Sequence, residues 1–511
     1  MKSTMPYILG VDLGAGSLKA SLVRSDGVVV GHASHPIDTL TPKFGWSEQD
    51  PEQWYTAFCN AVPRALRAAD VSAEAVDVVG ISGGAHIQVL LDSQDQIIRP
   101  ALLWSDQRSA EEAQELHELA GDTIITSSMN KANATWTLPQ LLWIKRHEPE
   151  NIARVAKLFL AKDYLRFRIT GDWHTDFSDA VGALMADAES GGWSQAICQL
   201  IDWPTATLPP IVDPWEVVGA VAAGAAEDAG LRQGTPVVTG SNDTTVELFG
   251  AGAISPGQGA IKLATAGVLF LTVDQPIVNP PVSCYPHIIP GMYYTATGTN
   301  SCASAHRWLA DEIFASATAN DADETATTFE VMDQMAAQVS PGSKGLIFHP
   351  YLQGERAPYW DPYLRADFIG ITMQHSRRHF ARALYEGIAF SIRDLMESSR
   401  VEGLEFKEIR LLGGGARSGT WRQIISDVLG VEVIRPESGD ASFGAALVAG
   451  VGAGIFSSLQ EAVQRCVRIL DHCQPDPDTH DLYSDLFAVY KDAQQALAPL
   501  DHRLYKLIGE S

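Results

Sequence analysis

The sequence predicts an α/β protein of two lobes built on one plan. Two observations carry this reading. Short apolar strands alternate with helical segments along the chain, and a strand–glycine turn–strand unit occurs twice, half a chain apart. The first copy runs from residues 7–11 through Asp12-Leu-Gly14-Ala-Gly16-Ser17 into residues 18–23. The second runs from residues 259–263 through Ala264-Thr265-Ala-Gly267 into residues 268–273. A length of 511 residues suits two domains of ordinary size.

Taken in order, residues 6–35 read as a hairpin with Asp26-Gly27 as its turn. Residues 51–69 read as a helix with Pro51 in its first turn and apolar residues at helical spacing. Strands are expected at 76–81, 87–91 and 97–103, helices at 108–119 and 138–147, and a strand at 155–160. A further strand covers 236–239, and a helix begins at Thr244. The Pro/Gly junction at 253–257 marks the end of the first half, so the expected lobes are 1–253 and 254–511. The second half closes with Ala-rich helices near 441–454 and 482–498, and residues 314–328 are expected as an exposed helix or loop.

Composition narrows the function. A formal charge of −25 with no basic run argues against nucleic acid and an anionic membrane surface. No apolar stretch nears the ~20 residues that span a bilayer, and the N-terminal apolar run is too short for a secretory signal. Cys59, Cys198, Cys284, Cys302, Cys466 and Cys473 form no CxxC pair, which fits reduced thiols in a cytoplasmic protein.

Three turns have the makings of a nucleotide seat. In the first, Gly14, Gly16 and Ser17 offer backbone amides to phosphate oxygens, Lys19 follows, and Asp12 at the strand end suits holding Mg²⁺, directly or through water. The second offers the Thr265 hydroxyl and the amide of Gly267. The third, Gly413-Gly414-Gly415-Ala416-Arg-Ser-Gly419, joins a strand to a helix with no side chain blocking its backbone. Each also reads as a plain tight connection. Asp243 follows the strand at 236–239, where α/β folds place their chemistry. It suits a base that takes a proton from a substrate hydroxyl attacking phosphorus. It equally suits a helix N-cap, and Thr244-x-x-Glu247 reads as a capping box.

Several segments, in order, resemble the FGGY family of carbohydrate kinases, its xylulokinase branch most of all. They are Asp12-Leu-Gly14, Trp46-Ser-Glu-Gln-Asp50-Pro-Glu-Gln-Trp54, Gly83-Gly-Ala-His86, Leu103-Trp-Ser-Asp106-Gln-Arg108, Lys162-Asp-Tyr-Leu165, Ser178-Asp-Ala180, Pro350-Tyr-Leu-Gln-Gly-Glu-Arg356-Ala-Pro358, Phe368-Ile-Gly370 and Gly413-Gly-Gly-Ala-Arg-Ser418. The resemblance implies two actin-like (ribonuclease H-like) ATPase lobes with an interdomain cleft, ATP and Mg²⁺ as cofactors, and a ketopentose substrate, D-xylulose first. It implies Asp243 as catalytic base, Asp12 as the acidic residue of the first phosphate loop and Thr265 and Gly267 in the second. Gly415, Ala416 and Gly419 match adenosine-binding positions, Arg307 borders the nucleotide, and His86 meets the sugar. A homodimer is the family-level expectation.

This chain departs from the pattern at the sugar pocket and the phosphate loops. Xylulokinases usually read Gln-Met-His-Gly where this chain has Gly84-Ala85-His86-Ile87, and Asn where it has Thr244. Ala15 and Ala264-Thr-Ala-Gly267 replace the usual Thr and Gly-Thr-Ser-Gly, and Pro-Gln replaces Pro-Lys at 139–140. These changes keep open a kinase for ribulose, erythrulose or a pentitol, and a non-catalytic sugar or nucleotide sensor. Trp104 and Trp136 are further candidates to pack on a sugar face, or are core. Asp106 and Arg108 suit either a structural pair or a pocket loop, and Glu355 and Arg356 suit bracing the surface between the lobes.

Overall fold

A computed structural model describes residues 5–278, 282–314, 327–399 and 405–508. The chain forms two compact units. The first holds Met1–Ile254, Asp274–Tyr294 and Ser438–Arg468, and the second holds Ser255–Val273, Thr295–Glu437 and Ile469–Ser511. The chain first crosses between units after Ile254, where the sequence expects a division at 253/254. The chain crosses back, however, so that residues 274–294 and 438–468 join the first unit. Most of the expected segment at 314–328 lies outside the described residues.

The first unit is built on a six-stranded sheet. Its strands run in the order Val217–Ala220, Pro236–Val238, Val76–Gly83, Tyr7–Leu13, Ser17–Arg24, Val29–Pro36. Tyr7–Leu13 pairs antiparallel with Ser17–Arg24 and parallel with Val76–Gly83. The expected Asp26-Gly27 turn joins the second and third strands, with Gly27 at φ +85°. Only Ala101–Leu102 of the expected strand 97–103 is regular, paired with Glu48–Gln49.

Both faces of the sheet are covered, which is why Tyr7–Leu13 reads as a continuous apolar run. Leu9, Val11 and Leu13 face a core shared with helix Glu52–Ala69, which buries Trp54, Phe58, Ala61, Val62 and Ala65 on one stripe. Ile8 and Val78 face helix Ala441–Gly452 on the other side. That helix is rich in Ala and Gly because backbones meet there. A Cβ on Gly10 would stand 1.8 Å from the Ser442 carbonyl oxygen, and one on Gly80 2.2 Å from that of Ala445. The fit explains why a helix from the far end of the sequence completes this unit.

The second unit repeats the plan. Its strands run in the order Tyr293–Thr299, Gly267–Val273, Gln258–Leu263, Glu408–Leu412, Glu432–Pro436, Ile469–Cys473. Gln258–Leu263 pairs antiparallel with Gly267–Val273 and parallel with Glu408–Leu412, as its counterpart does in the first unit. Helices Arg377–Ser398 and Gly419–Leu429 pack together and stack Tyr385 on Trp421 at 4.8 Å between ring centroids. Pro477–Ile508 extends the expected helix 482–498 at both ends. All six cysteines are free thiols. Among the described residues, no helix is long and apolar enough to cross a membrane.

Candidate active site

In the first unit, three neighbouring parallel strands end side by side. Asp12 stands near the end of Tyr7–Leu13, in register with Ser82 of Val76–Gly83. His86 follows Val76–Gly83, and Asp243 follows Pro236–Val238. A parallel bridge between Gly83 and Asn242 holds the last two together. The C-terminal edge of a parallel sheet is where loops can converge on a ligand without breaking strand hydrogen bonds. The sequence places these three residues far apart, and the register of the strands brings them to one edge.

Asp243 opens the helix Asp243–Gly250, and Asn242 is its cap: Asn242 Oδ1 accepts the Thr245 amide at 3.0 Å. The expectation that Asp243 itself caps, with Thr244 and Glu247 as a capping box, is therefore corrected. Asn242 has the short amide side chain and extended backbone that a cap requires. It is fixed in turn by Ser178, whose Oγ accepts from Asn242 Nδ2 at 2.9 Å. The Asp243 carboxylate is half-buried, and its Oδ1 accepts from the Thr244 amide at 2.7 Å and the Thr244 hydroxyl at 3.2 Å. That leaves Oδ2 as the oxygen able to take up a proton.

Behind this loop lies a buried ion cluster. Lys162 Nζ stands 3.0 Å from Asp176 and 3.1 Å from Asp179, and it also pairs with Asp163, which pairs with Arg166. Burial, reinforced by the neighbouring Asp176 and Asp163 charges, holds the Asp179 carboxyl well above the usual range despite Lys162. Asp176 accepts the Ser241 hydroxyl at 2.7 Å, so the cluster anchors the segment leading into Asp243. The Lys162-Asp-Tyr-Leu165 and Ser178-Asp-Ala180 motifs thus hold the candidate base in place.

His86 adopts φ +70°, uncommon for a residue with a Cβ, and this turns its ring toward Trp136. The two rings stack at 4.1 Å. Nδ1 stands 2.6 Å from the Gly182 carbonyl oxygen, and Nε2 stands 3.1 Å from the Tyr285 hydroxyl. Burial pushes the imidazole down to about 4, so it is neutral at pH 7. Tyr285 lies nearly parallel to Trp136 and to Tyr294, whose hydroxyl meets Thr245 Oγ1 at 3.0 Å. A row of aromatic rings therefore runs from His86 to the helix that Asp243 begins. Ala85 borders the same turn: a Cβ on Gly182 would come within 3.8 Å of it.

Tyr285 and Tyr294 were not legible as site residues. They lie beyond the Pro/Gly junction that closes the first half of the sequence, with no motif to mark them. Trp104 is 48% exposed and stands outside this row of rings. Arg108 is structural: it forms a two-pronged pair with Asp106 at 2.9 and 2.8 Å, pairs with Glu48, and covers the Trp46 ring at 3.7 Å.

Asp12 is buried, accepts the Ser82 hydroxyl at 3.2 Å and lies 3.8 Å from Lys19 Nζ. Among the described residues, no three or more His, Cys, Asp or Glu group to hold a metal ion unaided. A single hard carboxylate beside open glycine backbone fits Mg²⁺ that takes its other ligands from phosphate and water. The backbone there is accessible: a Cβ on Gly16 would meet nothing within 4 Å. The Gly14 amide is held by the Ser17 carbonyl at 3.2 Å, and Ser17 pairs with the next strand.

In the second unit, the other two turns leave adjacent parallel strands, with Lys262 in register with Leu412. Thr265 is exposed, and its carbonyl accepts amides of Cys302 and Ser304, where helix Ala303–Glu312 begins. Arg307 stands exposed on that helix. Gly267 packs closely: a Cβ there would meet Thr299 at 2.8 Å. Gly415 has no room either, at 2.7 Å from Trp421, whereas Gly414 faces open space. Ala416 is buried with its carbonyl held by Arg422 at 2.6 Å, and Gly419 opens the helix that Ser418 caps. Glu355 is buried and accepts from the Thr299 hydroxyl and Asn300 amide, inside this unit.

Two parallel-edged sheets, a carboxylate freed from capping and glycine turns in both units define a phosphotransferase architecture. Residues 7–250 match the N-terminal domain of the FGGY family of carbohydrate kinases, and residues 259–453 match its C-terminal domain. The chain belongs to this family and is a carbohydrate kinase. It is 33% identical over 491 residues to the xylulose kinase of Bacillus subtilis, covering 96% of each chain. It is 27% identical over 501 residues to the gluconokinase of the same organism, covering 96% of each. The crystal structure of xylulose kinase from Rhodospirillum rubrum superposes with a TM-score of 0.84 at 28% identity, covering 97% of this chain and all 100% of that one.

Proposed function

We propose that this enzyme transfers the γ-phosphoryl group of ATP to the terminal primary hydroxyl of a ketopentose, D-xylulose first, forming D-xylulose 5-phosphate. The observation that carries the reading is the position of Asp243. It stands at the edge shared by three parallel strands, with Asn242 doing the capping and Oδ2 left to act. Asp243 Oδ2 orients the attacking hydroxyl and takes its proton as the oxygen bonds to phosphorus. Thr244, by donating twice to Oδ1, points Oδ2 away from itself and toward the substrate. As the oxygen–phosphorus bond forms, the bond between the γ-phosphorus and the β–γ bridging oxygen breaks, and its electron pair leaves on the β-phosphate of ADP.

The glycine turns around Thr265–Gly267 and Gly414–Gly419, with Arg307 beside them, take the nucleotide, their amides facing phosphate oxygens. In the first unit, Asp12, Gly14, Ser17 and Lys19 are the set that meets phosphate. Bound Mg²⁺ held there through Asp12 supplies electrostatic stabilisation of the transferring group. The Trp136 face borders the sugar, with His86 stacked against Trp136, and Ala85 leaves room beside it.

A second reading keeps the chemistry and changes the acceptor to another ketose, a pentitol or gluconate. Two observations favour weighing it: the small Gly84-Ala85 wall, and the resemblance to a gluconokinase. A coupled assay for ADP across D-xylulose, D-ribulose, L-erythrulose, pentitols and D-gluconate separates the two. The first reading expects the highest kcat/KM with D-xylulose. A higher value for gluconate or a pentitol replaces it with the second.

A further inference from the structure

His86 is the residue that a sugar would be expected to meet, yet both of its ring nitrogens are engaged inside the chain. A carbonyl oxygen only accepts, so Nδ1, at 2.6 Å from the Gly182 oxygen, carries the ring's proton. The neutral ring then has a bare Nε2, and the Tyr285 hydroxyl 3.1 Å away donates to it. The imidazole has no donor or free lone pair left for a ligand.

Tyr285 is in the opposite position. Its hydroxyl has given its one proton to His86, and with the Ser283 side chain also hydrogen-bonding to it, the phenol oxygen keeps one lone pair that can accept. The ring is only 7% exposed and lies nearly parallel to Trp136 at 5.7 Å and to Tyr294 at 5.4 Å between centroids. It cannot swing away without unstacking. The hydroxyl feels the Asp243 carboxylate, whose charge, after burial itself, holds the phenol proton on. Within this unit the phenol oxygen therefore sits between His86 and the electrostatic reach of the candidate base.

We propose that Tyr285 determines sugar specificity: its oxygen accepts a hydrogen bond from a substrate hydroxyl other than the one phosphorylated, and His86 is a positioning residue behind it. This rests on the sugar-kinase reading centred on Asp243. It converts an imidazole subsite, able to donate or accept, into a phenol subsite that accepts only. Such a subsite selects a hydroxyl and rejects an analogue lacking it, because the polar atom is then left unpaired.

The test uses the purified full-length enzyme, its best sugar, and that sugar's monodeoxy analogues. Tyr285→Phe is expected to raise KM for the parent sugar about tenfold while leaving KM for ATP unchanged, the size of one lost hydrogen bond. One deoxy analogue, poor for the wild type, is expected to be used equally well by wild type and variant. An unchanged sugar KM overturns the proposal. So does a penalty that is equal for the parent and every analogue, or one shared by ATP, because either marks a packing defect. Asp243→Ala is assayed in parallel. An inactive Asp243→Ala beside an unaltered Tyr285→Phe defeats this inference alone, whereas an active Asp243→Ala defeats the reading beneath it.

Discussion

Asn242 caps the helix that Asp243 begins, its Oδ1 accepting the Thr245 amide at 3.0 Å while its Nδ2 holds Ser178 at 2.9 Å. One amide thus closes the helix end and ties it to the segment that carries Asp179. The division of labour leaves the carboxylate one position later available for chemistry.

Asn242→Ala removes the cap and a buried hydrogen bond together. The expected loss is about 1–2 kcal/mol of stability. A fall in kcat should accompany it, because Asp243 then loses its fixed entry angle. Thermal melting and steady-state kinetics check this. An unchanged melting temperature would show that the cap is not limiting.

Lys162 is the cation that meets all three of Asp163, Asp176 and Asp179, while Arg166 pairs with Asp163 alone among them. Lys162→Met leaves those carboxylates facing each other without it, which should cost about 3–5 kcal/mol. Denaturant titration reads the effect directly. A midpoint equal to that of the wild type would mean that the carboxyls protonate at little cost.

Three histidines are held neutral by burial: His86, His287 and His306 are each pushed down to about 4. An unfolded chain protonates them near 6.5, so it binds protons that the fold refuses. Stability is therefore complete above pH 6.5 and declines as pH falls from there toward 4. Melting temperature should drop between pH 7.5 and pH 5, with about 2 kcal/mol lost per histidine by pH 5. A melting temperature that holds steady across that interval contradicts the burial of these rings.

Gly444 belongs to the helix that covers Tyr7–Leu13 and Val76–Gly83. A Cβ there would stand 1.9 Å from the Val246 carbonyl oxygen. Backbone cannot yield as a side chain can, so Gly444→Ala should cost about 3 kcal/mol or more. Soluble yield and melting temperature test it, with Gly224→Ala as control, since a Cβ at Gly224 meets nothing within 4 Å.

Much of this was legible in the sequence because it is local. The two strand–turn–strand units, the strand before Asp243 and the glycine run at 413–415 are carried by residues a few positions apart. The identity of the cap was not legible: Asn242, Asp243 and Thr244 all suit a helix start, and only backbone geometry chooses among them. Tyr285 was missed because its partner His86 is 199 positions away. The Ala441–Gly452 helix looked like part of the second half for the same reason. Its small residues signal close packing but not against what, and Gly10 and Gly80 carry the other half of that signal.

The central claim is that Asp243 takes the proton from the attacking sugar hydroxyl. Asp243→Asn keeps the shape, and its side-chain oxygen can still accept from Thr244, but the oxygen that would take the proton is lost as a base. The decisive measurement is kcat for the best sugar in that variant, with KM for ATP and melting temperature alongside. The account predicts a fall of at least about 10³-fold in kcat with both controls unchanged, at or within the usual range for a general base. Turnover within a few-fold of the wild type would contradict it.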